Sequence, residues 1–178
     1  MKVLVVSSSL RVGSNSEILA HEAEKGAKDA GHEVEFITLK DKNIQFCRGC
    51  FACQSLGKCV IKDDMNDLIE KVQNADVLIF ATPIYYYEMC GQLKTFLDRC
   101  NPLFPKENRF KDVYLITTLH DDTSGMSDRA QAGLEGWIAC FEQSRFAGML
   151  DCGGVNDPKA AADDKDLLQK AYDLGANL

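Results

Sequence analysis

No apolar run in this sequence approaches the roughly 18 residues that a membrane-spanning helix needs. The first residues, MKVLVVSSSLR, contain a hydrophobic stretch that is too short for a secretory signal. Lysine and arginine form no block, and a net charge of -7 is unlike the basic surface of nucleic-acid binding proteins. We therefore expect a cytoplasmic protein that binds a small molecule and contacts neither membranes nor nucleic acids.

Two common nucleotide-binding fingerprints are also missing. The sequence contains no G-x-G-x-x-G motif for a dinucleotide and no G-x-x-x-x-G-K-[ST] motif for a nucleoside triphosphate. Serines, and no acidic residues, follow the first predicted strand, which argues against a phosphorelay receiver domain.

Short apolar runs alternate with longer segments of helical period, which is typical of a parallel sheet covered by helices on both faces. Strands are predicted over residues 2–6, 33–39, 76–82, 112–119 and 146–152. Helices are predicted over residues 14–30, 64–74, 91–100, 128–144 and 165–175. No repeat or linker divides the chain, so we expect one α/β domain over residues 1–178. Ligands of such folds bind beyond the carboxyl ends of the strands, where the strand order reverses.

The segment VVSSSLRVGSNSEIL leads from the first predicted strand through a Ser/Gly-rich turn into the first helix. Ser9, Ser14 and Ser16 supply hydroxyl groups, Arg11 supplies a cation, and the N–H groups of the first helical turn face the same place. This combination suits a phosphate monoester. The alternative is that Ser14 only caps the helix and that Glu17 completes a capping box.

Three adjacent tyrosines follow the third predicted strand, in LIFATPIYYYEMCGQLKTFLDRC. A tyrosine ring has a broad apolar face and a polar edge, which suits a flat heteroaromatic ligand. The alternative is that the tyrosines line a dimer interface, where this residue type is also enriched. Thr118, at the end of the fourth predicted strand, is expected near the edge of the same ring.

Four of the eight cysteines lie close together in FCRGCFACQSLGKCVIKDDM. Cys47, Cys50, Cys53 and Cys59 have the spacing C-x2-C-x2-C-x5-C. Because cytosolic thiols are kept reduced, such clustering indicates metal or redox chemistry before disulfides. One compact loop can supply all four ligands of an iron–sulfur cluster, whereas zinc ribbons separate their cysteine pairs more widely. A redox-active dithiol and inert packing thiols stay open as alternatives.

These three segments resemble the NADPH-dependent FMN reductase and iron–sulfur flavoprotein family. The run SSLRVGSNS at residues 8–16 is similar to the phosphate loop of that family. The pattern T-P-x-Y…G-x-L-K-x-F-x-D-R at residues 82–99 resembles the segment that surrounds its flavin ring. The pattern C-x-G-C-x-x-C…D-D-M resembles the cysteine motif of iron–sulfur flavoproteins, and a similar pattern occurs in relatives without an established cluster.

The resemblance implies a flavodoxin-like fold. This is a doubly wound, five-stranded parallel sheet of order 2-1-3-4-5 with helices on both faces, here with a cysteine-rich insertion at about residues 41–62. It also implies that FMN is bound at its phosphate and at its ring by two groups of residues. The residues expected at the phosphate, here called the phosphate-site residues, are Ser9, Arg11, Ser14, Asn15 and Ser16. The residues expected at the ring, here called the ring-site residues, are Pro83, Ile84, Tyr85, Tyr86 and Thr118.

The activity that the resemblance implies is an FMN-dependent oxidoreductase with NAD(P)H as co-substrate and a small-molecule or protein electron acceptor. No side chain is expected to act as an acid or a base. The alternative is an electron carrier whose [4Fe–4S] cluster, on the four clustered cysteines, exchanges electrons with a ferredoxin-like partner. A third hypothesis is a module that binds FMN or another phosphorylated ligand without turnover. The resemblance further implies a homodimer or homotetramer.

Overall fold

The computed structural model describes residues 1–178 and contains one sheet. Its strands are β1 (Lys2–Ser7), β2 (Glu33–Thr38), β3 (Val77–Tyr85), β4 (Glu88–Met89), β5 (Asp112–Thr118) and β6 (Arg145–Cys152). The five long strands are parallel in the order β2-β1-β3-β5-β6, and β4 pairs antiparallel with the end of β3. When only the long strands are counted, this is the order 2-1-3-4-5, so the predicted flavodoxin-like fold is confirmed.

Helices cover both faces of the sheet. They are α1 (Asn15–Asp29), α2 (Ala52–Leu56), α3 (Met65–Asn74), α4 (Gly91–Arg99), α5 (Asp128–Ile138), α6 (Ala160–Asp163) and α7 (Lys165–Ala176). Leu4 and Val6 point into a core built with α3, α4 and α5, while Val3 and Val5 point into a second core built with α1 and α7. Successive strand residues face opposite sides, so a strand with two buried faces is apolar throughout. No helix combines the length and the apolarity that crossing a membrane requires.

Helices α1 and α7 are in backbone contact at two glycines. A Cβ atom added at Gly26 would lie 2.0 Å from the carbonyl oxygen of Tyr172, and one added at Gly175 would lie 1.9 Å from that of Ala23. Neither distance leaves room for a side chain, so glycine is required at both positions. The contact fixes the position of α1, and the N terminus of α1 lies at the candidate site.

Several predicted boundaries are wrong. The third strand continues past residue 82 to Tyr85, because β4 folds back and pairs with its end. The fourth predicted helix ends at Ile138 instead of residue 144, because the chain then turns tightly and buries Phe141 against the core. Elements α2, α6 and β4 have at most five residues each. Such short elements carry too little periodic pattern to be recognised in a sequence.

Candidate functional site

The loop after β1 lies at the switch point of the sheet. Strand β1 pairs with β2 on one side and with β3 on the other. The strand order reverses at β1, so the loop after β1 lies where ligands of doubly wound sheets bind. Beyond the end of β1, Ser8 donates two hydrogen bonds to the carbonyl oxygen of Ala81, from its N–H at 3.0 Å and from its hydroxyl at 2.8 Å. These bonds hold the start of the loop against β3.

All three serines of the predicted phosphate-site residues are buried, with Ser9 and Ser14 in this loop and Ser16 in the first turn of α1. The Ser14 hydroxyl accepts from the N–H of Glu17 at 3.3 Å and lies 3.1 Å from the Ser16 hydroxyl. Ser14 therefore does cap α1. The capping box is not completed, because the Glu17 carboxylate pairs with Lys40 instead. Capping uses the Ser14 oxygen only as an acceptor, so its O–H group can still donate, either to Ser16 or to a ligand.

Some hydrogen-bond donors at this point of the structure have no acceptor within the protein. The backbone N–H groups of Asn15 and Ser16, in the first turn of α1, donate to no protein group. Nearby at the end of β1, the buried hydroxyl of Ser7 has no partner either. Buried donors are costly when unpaired, and the N terminus of a helix favours an anion. The chemistry of this donor set fits a phosphate group.

The other two phosphate-site residues, Arg11 and Asn15, are hydrogen-bonded to residues 155–161, which follow β6. We call residues 155–161 the strap. Arg11 donates from Nη1 to the carbonyl oxygen of Asn156 at 2.6 Å and otherwise lies exposed. The Asn15 amide is fully used, because it bonds backbone groups of Val155, Asp157 and Ala161. Any contact of Asn15 with a phosphate therefore falls to its backbone N–H.

Lys159, in the strap, is a cation that the sequence reading missed. Its N–H donates to the carbonyl oxygen of Gly13 at 2.8 Å, and its Cγ lies 3.0 Å from where a Cβ of Gly13 would be. Its φ angle of 70° is left-handed, which is strained for a residue other than glycine. No short sequence pattern connects Lys159 to Gly13, so only the tertiary structure reveals this neighbour of the phosphate loop.

The predicted ring-site residues lie at the carboxyl ends of β3 and β5. Pro83 is the register partner of Thr118 across the two strands, which places these two residues side by side. Ile84 packs on the core below, and Thr118 is buried. Tyr85 and Tyr86, in contrast, are exposed. The structure thus offers a shelf of backbone and small side chains with aromatic rings at its outer end.

Tyr86 and Tyr87 form the two-residue turn between β3 and β4. Their φ angles are 51° and 69°, so both are left-handed, as a type I′ turn requires. Asparagine and glycine are the usual residues of this turn, and bulky residues there are strained. The Tyr86 ring is 97% exposed, and Arg129 lies 5.3 Å from the centre of the Tyr87 ring. Tyr86 is therefore strained and gains no burial in return.

Replacing Tyr86-Tyr87 with Asn-Gly is expected to stabilise the protein by about 1–2 kcal/mol, because it relieves the strain at both left-handed positions. The same change is expected to weaken binding of the FMN that the sequence predicts here, since it removes two rings from the edge of the shelf. Urea denaturation measures the first effect and flavin titration the second. The single change Tyr86→Phe keeps ring and strain, and serves as the control. A less stable double variant would contradict the strain argument.

One buried thiol outside the cysteine cluster joins the two loops. Cys90 immediately precedes α4, and its N–H donates to the hydroxyl of Thr82 at 3.1 Å. Its thiol donates to the Ser8 hydroxyl at 3.2 Å. The loop after β1 and the hairpin of β3 and β4 are therefore held at a fixed distance from each other, as two ends of one elongated ligand site require.

All four clustered cysteines line one small cavity. Cys53 is buried, Cys59 is half-buried, and Cys47 and Cys50 are exposed. No three metal-binding side chains converge on one point. The fold thus brings the four thiols around one cavity without forming a closed metal site.

Comparison with known families shows the family to which this chain belongs. The sequence profile described as NADPH-dependent FMN reductase matches residues 1–135. The chain belongs to this family. The match includes the loop after β1, the β3–β4 hairpin and the four clustered cysteines, and it ends before the strap. The expected family is confirmed.

Curated relatives of this FMN reductase family member include iron–sulfur flavoproteins. The chain is 40% identical over 103 residues to an iron–sulfur flavoprotein of Methanocaldococcus jannaschii. The aligned residues make up 58% of this chain and 53% of that protein. It is 30% identical over 156 residues to an iron–sulfur flavoprotein of Methanosarcina thermophila, with 84% and 82% of the two chains covered. The chain thus spans about half the length of the first of these relatives.

A solved structure shares the fold of this family member. The NAD(P)H:quinone oxidoreductase from Methanothermobacter marburgensis superposes with a TM-score of 0.77, over 99% of this chain and 95% of that chain. The sequences are 16% identical. At this identity the similarity shows the doubly wound architecture alone.

A buried ion pair closes the base of the cysteine loop, by which we mean residues 41–62. Arg99 donates to both oxygens of Asp63, at 2.7 and 2.8 Å, and to the carbonyl oxygen of Gln45 at 2.6 Å. The two side chains are 1% and 0% exposed. Burial pushes the pKa of Asp63 up, but hydrogen bonds from Arg99 and from the N–H groups of Gln45 and Met65 outweigh it and hold this pKa below its ordinary value.

Proposed function

We propose that this chain is an FMN-dependent NAD(P)H oxidoreductase that holds FMN between the loop after β1 and the β3–β4 hairpin. The observation that carries the proposal is that two backbone N–H groups in the first turn of α1 donate to no protein group, next to the buried hydroxyls of Ser14 and Ser16, because a phosphate is the ligand that satisfies such donors. Membership in the NADPH-dependent FMN reductase family supports it. When bound, FMN accepts a hydride from the nicotinamide and passes electrons onward.

Each part of the chain has a separate task in this proposal. Ser9, Ser14 and Ser16 donate hydroxyl hydrogen bonds to the phosphate, and Arg11 and Lys159 balance its charge from the two sides of the loop. The ring rests on the shelf formed by Pro83, Ile84 and Thr118, with Tyr85 and Tyr86 at its edge. No side chain is required as an acid or a base, because the flavin carries the redox chemistry.

The electron acceptor is proposed to be a small molecule or a redox protein that approaches the open, tyrosine-rich end of the shelf. Exposed aromatic residues of this kind also favour a subunit interface, and we propose a homodimer or homotetramer. We place the protein in the cytoplasm, where its eight free cysteines stay reduced. Residues 1–178 form one FMN-binding domain in this proposal, with the cysteine loop as an insertion.

Anaerobic mixing with reduced nicotinamide tests the enzymatic proposal. NADPH or NADH is expected to bleach the visible absorbance of the FMN-loaded protein, since hydride transfer reduces the flavin. Dithionite serves as the control that reduces any bound flavin. Bleaching by dithionite but by neither nicotinamide would overturn the enzymatic proposal. Protein that stays colourless after incubation with FMN would overturn the flavin site itself.

The cysteine cavity supports a second candidate, an electron carrier with a [4Fe–4S] cluster on Cys47, Cys50, Cys53 and Cys59. The four thiols line one cavity, and thiolates are the ligands that such clusters use. Iron and sulfide analysis of protein prepared without oxygen tests it. Cys59→Ser is expected to lose the iron and to keep FMN. Flavin reduction by reduced ferredoxin, with none by NADPH, would put the carrier first.

A further inference from the structure

The largest fully buried side chain of the molecule is a cation with an unused donor. Arg99 lines the cavity of the four cysteines, and its two terminal nitrogens are occupied by Asp63 and Gln45. Its third nitrogen, Nε, is buried and has no hydrogen-bond partner. A buried N–H without an acceptor costs about 1–3 kcal/mol, so this group calls for an explanation.

A second N–H donor in the same cavity already faces a sulfur atom. Asn101 follows α4 directly, and its side-chain amide donates to Sγ of Cys53 at 3.1 Å. Arg99 and Asn101 are two residues apart, and both line the cavity. The turn at the end of α4 therefore presents two side-chain donors to the cysteine loop.

Cys59 lines the same cavity as the unused donor of Arg99. Hydrogen bonding to Asp63 raises the pKa of Arg99 against the opposing effect of burial, and interaction with Cys59 adds to this rise. The Cys59 backbone is held in place by Asn66, whose amide accepts from the Cys59 N–H at 3.0 Å and donates to its carbonyl oxygen at 3.2 Å. Cys59 is thus a fixed neighbour of Arg99, and not a mobile one.

We infer that Arg99 and Asn101 are N–H donors to the sulfur ligands of an iron–sulfur cluster in this cavity, and that they set its reduction potential. The inference rests on the second candidate function and concerns two residues that are not ligands themselves. A donor to a ligating sulfur stabilises the more negative, reduced state, so each donor raises the potential. The pairing with Asp63 holds the Arg99 guanidinium in place beside the cavity that Arg99 lines.

The test is a redox titration of the cluster in anaerobically reconstituted, full-length protein, followed by electron paramagnetic resonance. Dithionite supplies the one electron that converts the oxidised cluster to its reduced form, and no bond to a ligand breaks. Asn101→Leu removes one donor and is expected to shift the one-electron equilibrium about tenfold, which is about 59 mV to lower potential. Arg99→Lys keeps a positive charge beside Asp63 but lacks the Nε–H, and is expected to shift the potential in the same direction.

Asn74→Leu is the matched control, because Asn74 is exposed on α3 and bonds only its own helix. It is expected to leave the potential unchanged. Iron, sulfide and FMN contents of Asn101→Leu equal to those of the wild type, with a lowered potential, support the inference. An unchanged potential in Asn101→Leu with full iron content overturns it and leaves the carrier hypothesis standing. Loss of iron from Asn101→Leu also overturns it, because the residue would then only assemble the site. Wild-type protein that binds FMN but takes up no iron overturns both.

Discussion

Replacing Ser14 with aspartate is expected to weaken FMN binding by about 100-fold, or about 2.7 kcal/mol, while the protein stays folded. Aspartate caps a helix as well as serine does, and a carboxylate is favourable at a helix N terminus. Ser14 lies in the loop that we assign to the phosphate, next to Ser16. Two like charges about 4 Å apart repel by about 4 kcal/mol at the dielectric of a protein surface. Quenching of FMN fluorescence on titration measures the affinity.

Ser14→Asn is the matched control for this experiment, because asparagine also caps α1 but adds no charge. It is expected to bind FMN much more tightly than the aspartate variant. Riboflavin, which lacks the phosphate, should bind equally to the two variants. Equal FMN affinity of both variants would show that the phosphate lies elsewhere, and the proposed flavin site would be wrong.

Arg99→Ala is expected to lower the free energy of unfolding by about 3–5 kcal/mol, because it leaves the buried carboxylate of Asp63 without its partner. The loss of the clamp also frees the start of the cysteine loop, since Arg99 holds the carbonyl oxygen of Gln45. Urea denaturation at neutral pH measures the change. The double variant Asp63→Leu/Arg99→Leu removes both charges and is expected to be more stable than Arg99→Ala.

The effect of Arg99→Ala is expected to depend on pH. The pKa of Asp63 is lowered in the folded protein, so the stability it contributes is present above the ordinary carboxyl pKa and is lost as the pH falls through the folded value. In the variant, Asp63 becomes neutral in acid, and the difference from the wild type should narrow there. A loss below about 1 kcal/mol at neutral pH, typical of an exposed pair, would contradict the buried clamp.

Local sequence was sufficient to predict those parts of the site that are built from one short segment of the chain. Ser9, Ser14 and Ser16 lie within one strand-turn-helix segment, and their positions follow from the end of β1 and the cap of α1. The five long strands were also predictable, because each is a buried apolar run with helices between them. The assignment of these residues to FMN stays a prediction until binding is measured.

Other parts of the site depend on contacts between distant segments. The strap reaches Gly13 through Lys159 and takes up the Asn15 amide, although it follows the last strand. The turn at Tyr86 has residues that disfavour its left-handed conformation, so turn propensities could not reveal it. The strap also lies beyond the region that the family profile matches, so the family pattern could not place it.

The sequence by itself determined the alternation of strands and helices, the Ser/Gly-rich loop that leads from β1 into α1, and the compact spacing of four cysteines. These features follow from apolar periodicity, helix capping and residue spacing, which act over a few residues. Only the tertiary structure decided that Arg99 and Asn101 face the cysteines, that Lys159 joins the phosphate loop, and that Tyr86 is strained and exposed. The physical reason is that burial and the pairing of donors with acceptors depend on which distant segments meet, and the order of residues does not state this.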